Sequence, residues 1–184
     1  MIAFVLDVDG VVSPVHGVTA WGDDVDGGPA IGQVLVSPTL NAALDAIGSQ
    51  PSVLPVWLTS WDPEMRAGMR FPGKAWADIG GPAISQLDPA AGWWKWILLD
   101  SWLDRHPAVD ALVWCDDHLD QAFSDDVLNG PNPTRKTTAS ASLAHRGIRK
   151  LLIRPDATVG LTPHDIRVKS SGVVYEGMNP SVVV

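Results

Sequence analysis

Cysteine and tyrosine are nearly missing from this chain: its 184 residues contain one of each. A lone cysteine cannot close an internal disulfide, so stability must come from packing, and a reducing, cytoplasmic setting is expected. Cations are also scarce. Thirteen Lys and Arg stand against 21 Asp and Glu, a formal charge of −8. That balance disfavours broad attraction to nucleic acid and leaves only a local basic patch for such a role. No run approaches the ~20 apolar residues that span a bilayer, so no membrane partner is expected. The N-terminus carries acids where a signal peptide would carry bases. Repeats and domain-dividing linkers are absent too. What is present is 46% hydrophobic residues, 15 prolines, 17 glycines and nine tryptophans. This is enough for one full core with many turns: a single domain over residues 1–170 and a tail over 171–184.

The apolar run Ile2-Ala3-Phe4-Val5-Leu6, bounded by acids and Gly10, predicts a buried strand over residues 2–8. Further strands are expected over 53–58 and 111–115, a short edge strand at Ala83–Leu87, and a last one at Leu151–Ile153. Ser37-Pro38 reads as N-cap and first turn of a helix that buries Leu40, Ala43, Leu44 and Ile47 and stops at Gly48. Asp62-Pro63 opens a short helix. Trp93 to about Leu103 predicts a helix apolar nearly all round, residues 118–128 another, and Thr162-Pro163-His164-Asp165 a helix start. Residues 13–36 are too rich in Gly and Pro for a helix. There Val15–Val18 and Ile31–Val36 are expected to pair as a flap. Alternating strands and helices imply an α/β fold with a mostly parallel sheet covered on both faces.

Asp7 and Asp9 sit at the carboxyl end of the first strand, where open α/β sheets bind ligands. Gly10 lets the chain leave sharply. Asp7-Val8-Asp9-Gly10-Val11-Val12 resembles the first motif of the haloacid dehalogenase (HAD) superfamily, most of whose members are phosphatases. Three further segments resemble its other motifs, in order: Val56-Trp57-Leu58-Thr59-Ser60, Lys95 within Trp93-Trp94-Lys95-Trp96, and Val113-Trp114-Cys115-Asp116-Asp117. Val11 stands where many members have threonine.

The resemblance implies a Rossmann-like three-layer sandwich with the first strand central. It also implies a Mg²⁺-dependent phosphohydrolase acting through an aspartyl phosphate. Asp7 would be the nucleophile and Asp9 the acid that protonates the leaving oxygen, then deprotonates water. Thr59 would bind phosphoryl oxygens, with Ser60 sharing or replacing it. Lys95 would offset charge on the nucleophile and the phosphate. Asp7, the Asp9 carbonyl and Asp116 would hold Mg²⁺, with Asp117 a second ligand or an outer partner and Asp120 a further possibility. Lys95 follows Thr59 by 36 positions, too few for a large cap domain, so the site is expected to be open beneath the 13–36 flap.

Each residue also has a plainer reading. Asp7 and Asp9 could solvate a turn, Thr59 could satisfy local backbone, and Lys95 could snorkel from an apolar helix. Lys74 is the rival lysine. Cys115 reads as a small core residue rather than a nucleophile. His118 reads as a helix N-terminal residue. Trp21 and Trp61 each have two readings, an aromatic surface beside the site or core, with core favoured for Trp61. The role of Trp21-Gly22-Asp23-Asp24 does not follow from the sequence. The resemblance implies a phosphomonoester substrate, and the open site expected here permits a bulky or macromolecular one. The tryptophan-rich second motif and acidic fourth also resemble HAD domains associated with RNA-repair proteins, which implies a nucleic-acid-end phosphatase. The basic stretch Arg135, Lys136, His145, Arg146, Arg149 and Lys150 would then hold a backbone. A non-catalytic HAD-fold binding module is the alternative from another class. Asp9 disfavours a dehalogenase, and the missing cap disfavours a mutase.

Overall fold

The computed structural model describes residues 1–29, 33–79, 93–119, 139–166, 168–169 and 172–173. Five strands form one parallel sheet: β1 (Ile2–Leu6), β4 (Val53–Trp57), β5 (Ala77–Asp78), β6 (Ala111–Cys115) and β7 (Arg149–Ile153). Their order is β5-β4-β1-β6-β7, and every neighbouring pair is parallel. The first strand is therefore central, and it ends at Leu6, two residues before the expected end; its unbroken apolar run suits a strand covered on both faces. Two small antiparallel pairs complete the described strands: β2 (Val25–Asp26) with β3 (Leu35–Val36), and β8 (Val168–Lys169) with β9 (Gly172–Val173).

Alternation along β1 separates two cores. Phe4 and Leu6 pack with Leu40, Leu44 and Ile47 of α1 (Pro38–Gly48). Ala3 and Val5 pack with Trp96, Leu99 and Trp102 of α3 (Trp94–Asp104) and with Leu143 of α4 (Ala139–His145). A short α2 (Pro63–Ala67) follows β4, with Asp62 accepting from the Met65 amide as its cap (2.8 Å). The result is a Rossmann-like α/β architecture with helices on both faces of the sheet. Among the described residues no helix is long and apolar enough to cross a membrane.

The start of α1 explains the Trp21-Gly22-Asp23-Asp24 segment. Ser37 caps the helix by accepting from the Leu40 amide at 3.0 Å. Asp23 reaches the same end, accepting from the Ser37 hydroxyl and from the Thr39 amide (2.9 Å). These bonds, Ser37 foremost, hold the Asp23 carboxyl below its ordinary range. A carboxylate is also favoured at the positive end of a helix. Asp24 accepts from the Thr19 amide at 3.2 Å, closing the loop before it.

Several expectations are corrected. Among the described residues Val15–Val18 pairs with no part of the 31–36 segment; β3 pairs with β2 instead. The Val15 amide donates to the Ala157 carbonyl (2.7 Å), so this part of the flap docks onto the 156–160 turn. Trp21 is tied to the same region by its indole N–H, which donates to the Leu161 carbonyl at 2.8 Å, and it packs on the α1-side core. Thr162–Asp165 forms one turn and no regular helix. Asp165 accepts from both the Thr162 amide and hydroxyl (2.8 and 2.7 Å), which closes the turn on itself. The last sheet strand begins at Arg149, two residues earlier than its apolar portion indicates. The expected strand at Ala83–Leu87, most of the helix over 118–128, and nearly all of the 171–184 tail lie outside the described residues.

The two kinds of contact differ sharply in expected weight. Leu44→Ala, at a fully buried position on the α1 face, should cost ~2–5 kcal/mol in denaturant unfolding. Arg146 joins α4 to Asp100 and Asp104 of α3 at the surface, and Arg146→Ala should cost under ~1 kcal/mol. The reverse ranking would contradict this packing.

Candidate functional site

The site begins with strand register. Leu6 of β1 lies opposite Cys115 of β6, so the next residues, Asp7 and Asp116, leave the sheet side by side. The Asp7 amide still donates to the Cys115 carbonyl at 3.1 Å. By alternation Asp7 continues the Ala3–Val5 face and Asp116 the Leu112–Trp114 face, and both faces look toward α3. The chain runs from β1 to β4 and β5 on one side and comes back to β6 on the other. The crevice at such a reversal is where open parallel sheets bind ligands.

Lys95, in the first turn of α3, meets the two acids there. Its ammonium donates to Asp7 Oδ2 and, at 2.6 Å, to Asp116 Oδ2. Lys95 and Asp7 are each 5% exposed and Asp116 is fully buried. This is an inward-pointing charge, which excludes the snorkelling reading. Lys74 is exposed in a loop and takes no part in this cluster. Lys95 Nζ lies 5.7 and 5.6 Å from the Trp93 and Trp94 ring centres, and Trp93 stacks on Trp114 at 5.2 Å. These rings keep water from the ammonium and add cation–π attraction. The second carboxylate oxygens are also engaged. Asp7 Oδ1 accepts from the Val8 amide (2.7 Å) and Asp116 Oδ1 from the His118 amide (2.9 Å).

Burial and charge oppose each other here. Burial pushes the Lys95 ammonium down, but Asp7 and Asp116 outweigh it and its pKa is raised. Burial pushes Asp116 up to about 6, with Lys95 pulling it down and Asp7 pushing it further up. For Asp116, then, burial prevails over its ion pair. Asp9 is also raised, chiefly by burial. The Trp61 hydrogen bond opposes that shift, and the neighbouring Asp7 charge reinforces it.

Asp9 stands on a tight loop closed by the Val8 carbonyl, which accepts the Val12 and Ser13 amides (2.9 and 3.0 Å). Its Oδ2 accepts from the Trp61 indole N–H at 2.9 Å. Trp61 therefore packs on the core and also holds the second acid. Its position two residues after Thr59 gives no sign of this, because the contact joins separate loops. Thr59 is fully buried at the carboxyl end of β4. Its hydroxyl accepts from the Trp61 amide at 3.3 Å, the local backbone role, and donates to no acceptor among the described residues. Ser60 beside it is exposed. Cys115 faces the α1-side core, and burial pushes its thiol far above its ordinary range, so it is no nucleophile.

Asp7, Asp116, Asp117 and His118 each place one ligating atom within 4.8 Å of the others. Asp117 Oδ1 is buried and accepts no hydrogen bond among the described residues, although His118 Nδ1 lies 2.7 Å away without hydrogen-bond alignment. A buried, under-satisfied carboxylate oxygen beside two others suits a hard divalent cation. The Asp9 carboxylate lies outside this group, and Asp120 lies outside the described residues. Gly10 is required here twice over. Its φ is +68°, and a Cβ would stand 2.8 Å from the Asp117 carboxylate.

The basic stretch sits elsewhere. Arg149 and Lys150 pair with Ala111 and Leu112 at the amino ends of the strands. The site lies at the carboxyl ends, ~17 Å away along five residues of strand. Arg146 is committed to Asp100 and Asp104. The described part of this stretch is therefore no platform for the site, and Arg135 and Lys136 lie outside the described residues.

Two expectations follow. Lys95→Ala leaves Asp7 and Asp116 buried without their cation and should cost ~3–5 kcal/mol in chemical denaturation; a loss under ~1 kcal/mol would contradict the pairing. The second concerns metal and pH. The folded pKa of Asp116 lies above its unfolded value, so lowering pH through about 6 protonates it and favours the apo fold. A proton there competes with a cation. Any rise in Tm produced by a divalent cation at this cluster should thus be full near neutral pH and fade as pH falls through about 6. A cation effect that grows on acidification would contradict the assignment.

Comparison with protein-family models, with curated proteins and with solved structures finds no match to this chain.

Proposed function

We propose that this chain is a Mg²⁺-dependent phosphohydrolase of HAD type, which passes the phosphoryl group of a phosphomonoester to Asp7 and then to water. The observation that carries this reading is the buried Lys95 ammonium held jointly by Asp7 and Asp116 at the strand reversal. Asp9, with its raised pKa, stands one loop away. The HAD resemblance supports the reading, since its implied nucleophile, lysine and acidic pair are the residues that meet in this crevice.

In the first step an Asp7 carboxylate oxygen forms a bond to phosphorus while the bond from phosphorus to the ester oxygen breaks. Asp9, whose hold on its proton burial strengthens, gives that proton to the departing oxygen. In the second step Asp9 takes a proton from water, and that water oxygen bonds to phosphorus as the Asp7–phosphorus bond breaks. Inorganic phosphate leaves and both acids are restored. Lys95 offsets negative charge on Asp7 and on the transferring group throughout. The Thr59 hydroxyl proton and the Ser60 amide are the local donors for phosphoryl oxygens. A magnesium ion held by Asp7, Asp116 and Asp117 would add positive charge at those oxygens. The acidic surroundings favour such a cation: three carboxylates, Asp7, Asp116 and Asp117, gather here beside one lysine.

Phosphate release from 4-nitrophenyl phosphate should require Mg²⁺ and stop with EDTA. Asp7→Asn should retain less than about a tenth of the wild-type rate, a barrier increase above ~1.4 kcal/mol. Asp116→Ala should weaken Mg²⁺ binding in calorimetry more than Asp117→Ala does. Full activity in Asp7→Asn would remove the nucleophile from this scheme. Metal binding with no turnover on any phosphomonoester would favour the non-catalytic binding module.

A further inference from the structure

We propose that the cavity beside Asp9 is the leaving-group pocket of this site, and that it selects phosphomonoesters of flat, uncharged, ring-bearing alcohols. This rests on the phosphohydrolase reading and goes on to name the substrate class.

The cavity has a volume of about 730 Å³ and is lined by residues that include Asp9, Val15, His16, Val18, Leu35 and Trp61. Asp9 is the group assigned to protonate the leaving oxygen, so a leaving group bonded to that oxygen must lie within its reach. The cavity is the space that Asp9 opens into. Trp61 forms one wall, and its ring is fixed from two sides. The indole N–H is held by Asp9, and the ring packs edge-on against Phe71 at 5.5 Å. A fixed aromatic face favours a planar partner.

Val15 and Val18 stand on another side with 37% and 63% of their surface exposed. They are two of only four large hydrophobic side chains exposed among the described residues. A ligand that covers them removes apolar surface from water. Charge sharpens the choice. Among the described lining residues there is no lysine or arginine, and the Asp7 and Asp117 carboxylates stand near Asp9, outnumbering the one Lys95 ammonium beside them. A second anionic group on the leaving alcohol would meet like charge with only His16 able to oppose it. The pocket therefore disfavours bisphosphates, nucleoside polyphosphates and nucleic-acid ends.

The wall is built in advance. The Val15 amide is bonded to the Ala157 carbonyl at 2.7 Å, and a Cβ on Gly17 would overlap the Thr158 carbonyl oxygen. Thr158 is in turn held by Asp156, which accepts its amide and hydroxyl at 2.8 and 2.7 Å. Between them His16 adopts φ 59°, a left-handed conformation uncommon outside glycine. A loop fastened at both sides of a strained residue is a fixed boundary, and a preformed pocket discriminates by shape and charge without closing.

Three small esters test the pocket: phenyl phosphate, 2-naphthyl phosphate and 4-carboxyphenyl phosphate. Wild-type kcat/KM should be about tenfold higher for the naphthyl ester than for the phenyl ester, as expected for added apolar contact. It should be about tenfold lower for the carboxyphenyl ester, through like-charge juxtaposition. Val18→Lys supplies the missing cation and should narrow the phenyl-to-carboxyphenyl gap about tenfold. Equal kcat/KM for all three esters, or an unchanged gap in Val18→Lys, would overturn the proposal. Calorimetry with 2-naphthol reads the pocket without turnover. The alcohol should bind wild type and bind Val15→Trp about tenfold more weakly, since the larger side chain fills the space. Binding of 2-naphthol by a protein that releases no phosphate would sink the phosphohydrolase reading and retain the selectivity of the pocket. Phosphate release with no ester preference and no 2-naphthol binding would do the opposite.

Discussion

One buried lysine holds two buried carboxylates at the head of the central strands, and the site is arranged around that contact. Asp7 and Asp116 are neighbours because β1 and β6 are parallel and in register, and they face the same way because side chains alternate. Two adjacent carboxylates without water repel strongly. Lys95 answers this from the opposite layer, and α3 must dock with its first turn over the strand ends to deliver it. The tryptophans around Lys95 then serve a clear purpose, keeping solvent from the ammonium so that each of its bonds counts for more. A lysine at this position is costly to bury and gains its stability from both partners together.

That arrangement leaves the charge incomplete. Asp7, Asp9, Asp116 and Asp117 exceed one ammonium, and burial raises Asp9 and Asp116 in response. The two raised acids differ in kind. Asp116 lies in the group that could hold a metal ion, and the Asp9 carboxylate lies outside it, fixed by Trp61. Environments that separate neighbouring acids in this way let one hold a cation while another exchanges a proton. The flap adds the remaining part, a wall fastened to the 156–160 turn, so that access to Asp9 is shaped by fixed loops.

The elements legible in the sequence were those whose signals are local. Ser37-Pro38 marked α1, the apolar run marked β1, and Ala111–Cys115 was read with both ends correct. The meeting of Asp7, Lys95 and Asp116 is what the HAD resemblance implied, two acids at strand ends and a lysine at a helix start. The failures share a physical cause, contacts between distant loops. Trp61 on Asp9, Asp23 at the start of α1, and Val15 on Ala157 each depend on tertiary placement that no periodicity encodes. Thr162-Pro163 carried a good helix signal, but Asp165 captured Thr162 locally and the turn went no further. The basic residues misled in another way. Their clustering in sequence does not convey that β7 places Arg149 and Lys150 at the far edge of the sheet.

The central claim is that Asp7 becomes phosphorylated during turnover. Acid quenching of the protein with a ³²P-labelled phosphomonoester, followed by peptide mapping, tests it directly. The account predicts a hydroxylamine-sensitive label on the peptide that contains Asp7, formed with Mg²⁺ and absent in Asp7→Asn. Phosphate release with no labelled protein under single-turnover conditions, or a label on a different residue, would contradict it.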